Sequence, residues 1–216
     1  MGIDRVLRQV IAISVFIPLF VASDGAAQIS DAESVRIGDR WSYDVKDALT
    51  GDLRHAISIV VVEVNDKEIT TRTSYRGKDR PQTMIFDADW GRIDDGIWQL
   101  RPSGIGIKKP LETGKQWRSD GNAINLQTGI PFRASGVAKV AAQEQVTTPA
   151  GTFDTFRIET VRLINTRDQT KSSIWTFVVW YAPTVNRWVK RTTEARFDGR
   201  LRDSFTEELI EHSRKQ

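Results

Sequence analysis

The chain has 216 residues, 39% of them hydrophobic and 27% charged, with 31 Lys and Arg against 28 Asp and Glu, 2 His and no Cys. That is a globular composition with enough length for a sizeable core; it excludes a disulfide scaffold, and the net charge of +3 forms no basic stripe of the kind that nucleic acid requires. Two histidines, His55 and His212, leave little for a zinc site or a Ser-His-Asp relay, so neither a metal nor a cofactor is expected.

Arg5 and Arg8 precede an uncharged apolar run from Val10 to Ala22, which ends in the small residues Gly25, Ala26 and Ala27. This is the order of a secretory signal, with cleavage expected after Ala27. The run is shorter than the ~20 residues of a membrane span and is interrupted by Pro18, so no stable span is expected after cleavage. A lipoprotein signal needs a cysteine to acylate, and there is none. The chain therefore divides into a signal peptide at 1–27 and a single domain at 28–216, periplasmic or secreted.

The domain reads as strand after strand. From Arg40, Trp41, Tyr43 and Val45 share one face of a period-2 pattern. Leu53 to Val64 and Lys67 to Tyr75 form a hairpin turned at Asn65-Asp66-Lys67. Thr83 to Asp87 and Arg92 to Leu100 form a second, with Asp89-Trp90-Gly91 near its turn. From Arg101 to Asn125 the glycines at 104, 106, 114 and 121 and the prolines at 102 and 110 predict a long loop.

Strand character returns at Ser135 to Thr147 and Thr152 to Ile164, joined through Pro149-Ala150-Gly151, where Pro presets one corner and Gly tolerates φ > 0 at another. Ser173 to Tyr181 and Asn186 to Phe197 follow. Asp198-Gly199 is the strongest hairpin signal in the chain, which favours a strand over a helix for Arg200 to Glu211. Nine or ten strands with short turns and no interleaved helices predict an all-β fold, an antiparallel meander curled into an open or closed barrel.

Four segments, GDRWSY at 38–43, PLETGKQW at 110–117, VTTPAGTF at 146–153 and WYAPTV at 180–185, resemble in sequence and order a loosely defined set of exported bacterial domains of unknown function. The resemblance implies a curved antiparallel sheet similar to the half-barrels of periplasmic lipoprotein carriers, and no catalytic residue. The usual ending of the fourth motif has Gly where Asn186 stands, which touches only the turn type.

Asp87, Asp89, Asp94 and Asp95 lack the spacing and the closing Glu of a calcium loop, so solvated turn carboxylates are the simpler reading. The strand at Ser173 to Tyr181 carries more information. Trp175, Phe177, Val179 and Tyr181 fall on one face and Ile174, Val178 and Trp180 on the other, so both faces need cover: the Arg101 to Asn125 loop, a partner, or an apolar ligand. The leading expectation is a non-enzymatic exported domain that binds an apolar small molecule or lipid, or docks an envelope protein, through Trp98, Trp175, Trp180 and Tyr181. The alternatives are a hydrolase of envelope polymer using carboxylates such as Asp87, Asp89 or Glu159, and a scaffold that binds nothing small.

Overall fold

The computed structural model describes residues 34–166 and 172–214. The expected signal peptide at 1–27 lies outside the described residues. The rest is a closed barrel of twelve antiparallel strands in which each strand pairs with its sequence neighbours and β1 pairs with β12. The strands are β1 (Arg40–Asp47), β2 (Leu53–Val64), β3 (Glu68–Tyr75), β4 (Gln82–Asp87), β5 (Arg92–Asp94), β6 (Trp98–Arg101), β7 (Gln116–Asn125), β8 (Pro131–Thr148), β9 (Gly151–Thr166), β10 (Ser172–Ala182), β11 (Arg187–Phe197) and β12 (Arg200–Ser213).

The expected count of nine or ten strands is corrected to twelve, and of the two forms expected, an open or a closed barrel, the closed one is found. Two differences account for the count. Arg92 to Leu100 is not one strand: Asp95 Oδ1 accepts the amides of Ile97 and Trp98, and this turn divides the segment into β5 and β6. The predicted loop from Arg101 to Asn125 is a loop only at 102–115, and its remainder is β7, paired with β6 and β8. Arg200 to Glu211 is strand, as expected, and both residues of its turn have positive φ, Asp198 at 48° and Gly199 at 77°.

Twelve strands enclose more space than side chains alone fill, since about eight already give a lumen just wide enough for them. Two devices take up the excess. At one end, the floor, Trp41, Tyr43, Tyr181, Val185 and Leu209 form a core with no more than 1% exposure. Along one wall, the 102–115 segment folds into the lumen as a strap. Gly104 N donates to Arg92 O, Ile107 N donates to Asp89 O, and Trp117 Nε1 donates to Gly106 O at 3.0 Å. The predicted loop is thus a filler of the inner face. It leaves the outer face of β10 uncovered, with Ile174 43% exposed.

The four motifs all lie at the floor. Trp41 Nε1 donates to Val185 O at 3.1 Å, joining the first motif to the fourth, and Tyr43 Oη donates to Trp188 O at 2.8 Å. Gly114 of the second motif donates its amide to Val140 O, and Ala150 of the third donates to Leu209 O. Asn186, in place of the motif's usual Gly, has φ of 50°, a region that Asn tolerates better than other side chains. The resemblance therefore reports how one end of the barrel is closed.

Candidate functional site

Above the floor, the barrel encloses a cavity of about 380 Å³ that runs toward the opposite end. This volume is at the small end of the range for small-molecule sites. Its lower wall is apolar: Ile57 and Ile59 from β2, Met84 and Phe86 from β4, Ile158 from β9, Phe177 and Val179 from β10, and Ile105 and Ile107 from the strap. The mouth is formed where β1 turns into β2 and β11 into β12, with Arg54, His55, Tyr75, Asp203 and Phe205 around it. Arg54 holds this rim together by donating to Asp203 Oδ1 and Asp47 Oδ2, both at 2.6 Å, and to Ser204 O at 2.8 Å.

The wall also carries four arginines set inside the barrel. Arg92 donates to Asp95 Oδ2 at 2.6 Å, and Arg191 is paired with the buried carboxylate of Glu207. Over a third of the Arg92 side chain is uncovered, 37%, yet it is deeply set and its pKa is lowered by desolvation, because the uncovered part faces the cavity. The other two have no carboxylate at ion-pair distance among the described residues, although Asp95 acts on Arg162 and Glu207 on Arg187 from farther off. Arg162 is 8% exposed. Arg187, 1% exposed, is packed among rings, its guanidinium carbon 4.0 Å from the Trp188 centroid, 4.2 Å from Trp90 and 5.0 Å from Trp41. Its Nε and Nη1 have no hydrogen-bond partner.

Burial pushes both guanidinium groups down to about 10; for Arg162 the positive charge of Arg92 adds to this and Asp95 opposes it, and for Arg187 the Tyr43 hydroxyl and Glu207 oppose it while the charge of Arg191 adds to it. They remain cations at neutral pH. Aromatic faces stabilise a desolvated cation by about 2 kcal/mol or more, but they accept no N–H bond in its plane.

Arg162 was not legible in the sequence because β9 inverts the usual pattern of apolar residues inside and polar ones outside. In Thr160-Val161-Arg162-Leu163 the apolar residues look inward-facing, yet Val161 is 53% and Leu163 36% exposed while Thr160 and Arg162 face the cavity. The available signal was the register. Phe156 and Ile158 are the apolar pair at the start of β9, and a strict period of two carried on from them puts Thr160 and Arg162 on the inner face.

None of the four residues predicted to bind ligand lines the cavity. Trp175 lies on the inner face beyond it, opposite Arg162 in register and stacked on the cavity residue Phe177 at 6.3 Å between centroids. Trp98 packs edge-on against Phe132 at 4.9 Å in a second cluster with Leu100, Ala123 and Ala134. Tyr181 is buried in the floor, its hydroxyl donating to Asn186 Oδ1 at 2.7 Å. Trp180 is on the other face of β10, where Nε1 donates to Glu144 Oε1 at 2.6 Å. The four are not brought together.

Of the candidate hydrolytic carboxylates, Asp87 and Asp89 share one turn and Glu159 lies apart on β9. Asp87 accepts the amides of Asp89 and Gly91 and the Ser103 hydroxyl, and Asp89 pairs with Lys108 at 2.6 Å. Glu159 lies near Arg157 at 3.6 Å and is not part of the cavity wall. His55 is at the mouth, whereas His212 packs on Phe153 at the floor.

No family model and no curated protein matches the sequence. Solved structures do match in shape. A Bacteroides fragilis protein of YmcC-like fold, provisionally described as exported, superposes with a TM-score of 0.57 at 13% identity, covering 85% of this chain and 99% of that one. The chain shares that fold. A Parabacteroides distasonis protein provisionally described as a lipoprotein superposes with a TM-score of 0.55, also at 13% identity, over 85% of this chain and all of the other.

Proposed function

We propose that the protein is an exported, non-enzymatic barrel that holds an apolar ligand in its interior. The observation that carries this reading is the apolar cavity between the strap and β2, β4, β9 and β10, reached from a mouth of polar side chains. Polar residues such as Arg, Lys, Glu and Thr occupy most outward positions, unlike the continuous apolar band on the outside of a lipid-embedded barrel. Export is supported by the N-terminal segment and by the descriptions of the two fold neighbours. A non-catalytic role is supported by the carboxylates, which serve turns and ion pairs: Asp87 and Asp89 in one turn, and Glu159 outside the cavity wall.

The test is titration of the purified domain with an environment-sensitive apolar dye, repeated on Val179→Trp, which puts an indole into the cavity. Saturable binding near one site per chain is expected, weakened at least ~tenfold in the variant at a near-wild-type unfolding midpoint. Absence of saturable binding, or equal binding by the variant, would overturn the reading.

A further inference from the structure

We propose that the cavity is built for an amphiphile with an anionic head group, a carboxylate or phosphate carried on an apolar chain, and that Arg162 and Arg187 are the residues that read the charge. This rests on the reading of the cavity as an apolar-ligand site and names the chemistry of its polar part. The first observation is charge. Of the four arginines on the wall, Arg92 and Arg191 are matched by Asp95 and Glu207, which leaves Arg162 and Arg187, among the described residues, without a carboxylate of their own at ion-pair distance: Asp95 and Glu207 act on them only from farther off, and Arg187 has the neutral Tyr43 hydroxyl beside it. An unpaired buried cation is among the most destabilising features a core can carry, and folds retain one where a ligand or a partner charge completes it.

The second observation concerns the direction of the unsatisfied hydrogen bonds. On the cavity wall the buried polar atoms without a partner are Arg92 Nε, Arg187 Nε and Nη1, Trp188 Nε1 and Thr73 Oγ1. Four are donors that cannot accept, and the fifth is a hydroxyl able to donate. Unsatisfied groups that can all donate are complementary to an acceptor with several lone pairs, and a carboxylate or phosphate oxygen set is that acceptor.

The third observation is placement. The Trp188 ring is close to two guanidinium groups, 4.0 Å from that of Arg187 and 4.4 Å from that of Arg191, and all three residues line the cavity. On β9, which only β10 separates from β11, Arg162 stands next to Thr160 and Phe177, at the border of the apolar wall. Charge reading and chain packing thus share one space.

The experiment compares dodecanoate, dodecyl phosphate, dodecanol and dodecylamine as displacers of the bound dye from the mature domain. The anions are expected to bind at least ~tenfold more tightly than dodecanol, and the amine more weakly than the alcohol. Which of the two anions binds more tightly identifies the head group. In Arg162→Met and Arg187→Met the advantage of the anion over dodecanol should shrink while dodecanol binding persists. Arg162→Met should also raise the unfolding midpoint without ligand, because it removes an unpaired buried charge. The wild-type ratio needs no variant and decides the matter even if a variant fails to fold. Equal binding of dodecanoate, dodecyl phosphate and dodecanol would overturn the anionic head while leaving the apolar site standing. Failure of all four probes and of the dye would overturn both.

Discussion

Ile105 of the strap occupies the space where Gly136 of β8 has no side chain: a Cβ at Gly136 would stand 2.4 Å from Ile105 Cδ1 and 2.9 Å from Val161 O. The strap is seated by this absence. Gly136→Ala is therefore expected to destabilise the barrel by about 1–3 kcal/mol, the usual range for forcing atoms into a filled core. Ile105→Ala in the same chain should recover part of the loss, so the double variant should be more stable than the sum of the single changes implies. Urea unfolding of the four proteins measures the coupling, and strict additivity would place Ile105 away from Gly136.

Asn186 combines two tasks in one side chain. Its backbone takes φ of 50°, its Oδ1 accepts from the Tyr181 hydroxyl at 2.7 Å, and its carbonyl accepts from Trp90 Nε1 at 2.9 Å. Asn186→Gly keeps the backbone conformation and loses the Tyr181 bond, for a cost of about 1–2 kcal/mol; Asn186→Val adds strain of about 1–3 kcal/mol to that loss. The order Asn, Gly, Val in unfolding midpoint is the expected result. A valine variant as stable as the glycine variant would contradict it.

What was legible in the sequence follows the same physics. β1 announced itself because its inner residues Trp41, Tyr43 and Val45 are large and alternate with polar ones, and all three are at most 4% exposed. The turn at Asp198-Gly199 was legible because few residue pairs accept two positive φ values. β7 was not, since its inner positions include Ser119, Gly121 and Ala123, kept small where the neighbouring chain presses close. A Cβ at Gly121 would lie 2.8 Å from Arg101 O. Small residues next to glycine and proline read as loop, although here they mark a strand with a close neighbour.

The site was less legible than the fold for a related reason. Arginine in a strand is ordinarily assigned to the solvent face, so Arg162 and Arg187 carried no inward signal, whereas the tryptophans did. Aromatic residues are conspicuous wherever they pack, and four of the seven, Trp41, Trp90, Trp117 and Trp188, donate to floor or strap carbonyls or stack around Arg187.

The mouth should be sensitive to acid. Asp47 accepts from Arg54 and from the amides of Leu49 and Thr50, and these bonds, that of Arg54 foremost, hold its carboxyl down at about 2 from the ordinary 3.8. A depressed carboxyl contributes stability that is present above the unfolded value and is lost as pH falls from about 4 toward 2. Asp47→Asn should lower the unfolding midpoint at pH 6, and the difference from wild type should close as pH approaches 2. A difference that stays constant across that window would mean that the Asp47 charge does not act on the rim.

The last prediction separates the two faces of β10. Trp175 is on the inner face, stacked on Phe177 and opposite Arg162, whereas Trp180 is on the outer face and fixed to Glu144 through its indole N–H. Removing Trp175 frees Phe177 to tilt and enlarges the apolar space next to the cavity, so Trp175→Ala should alter dye binding as well as stability. Both rings are only half-buried, so each truncation should cost less than the ~3–5 kcal/mol typical of a fully enclosed aromatic. Trp180→Ala should cost stability alone, through lost packing and through the hydrogen bond to a charged acceptor, about 1.5–3 kcal/mol for the latter. Dye titration and urea unfolding of both variants provide the comparison. If Trp180→Ala changes dye affinity and Trp175→Ala does not, the ligand is held on the outer wall, and the interior cavity is not the binding site.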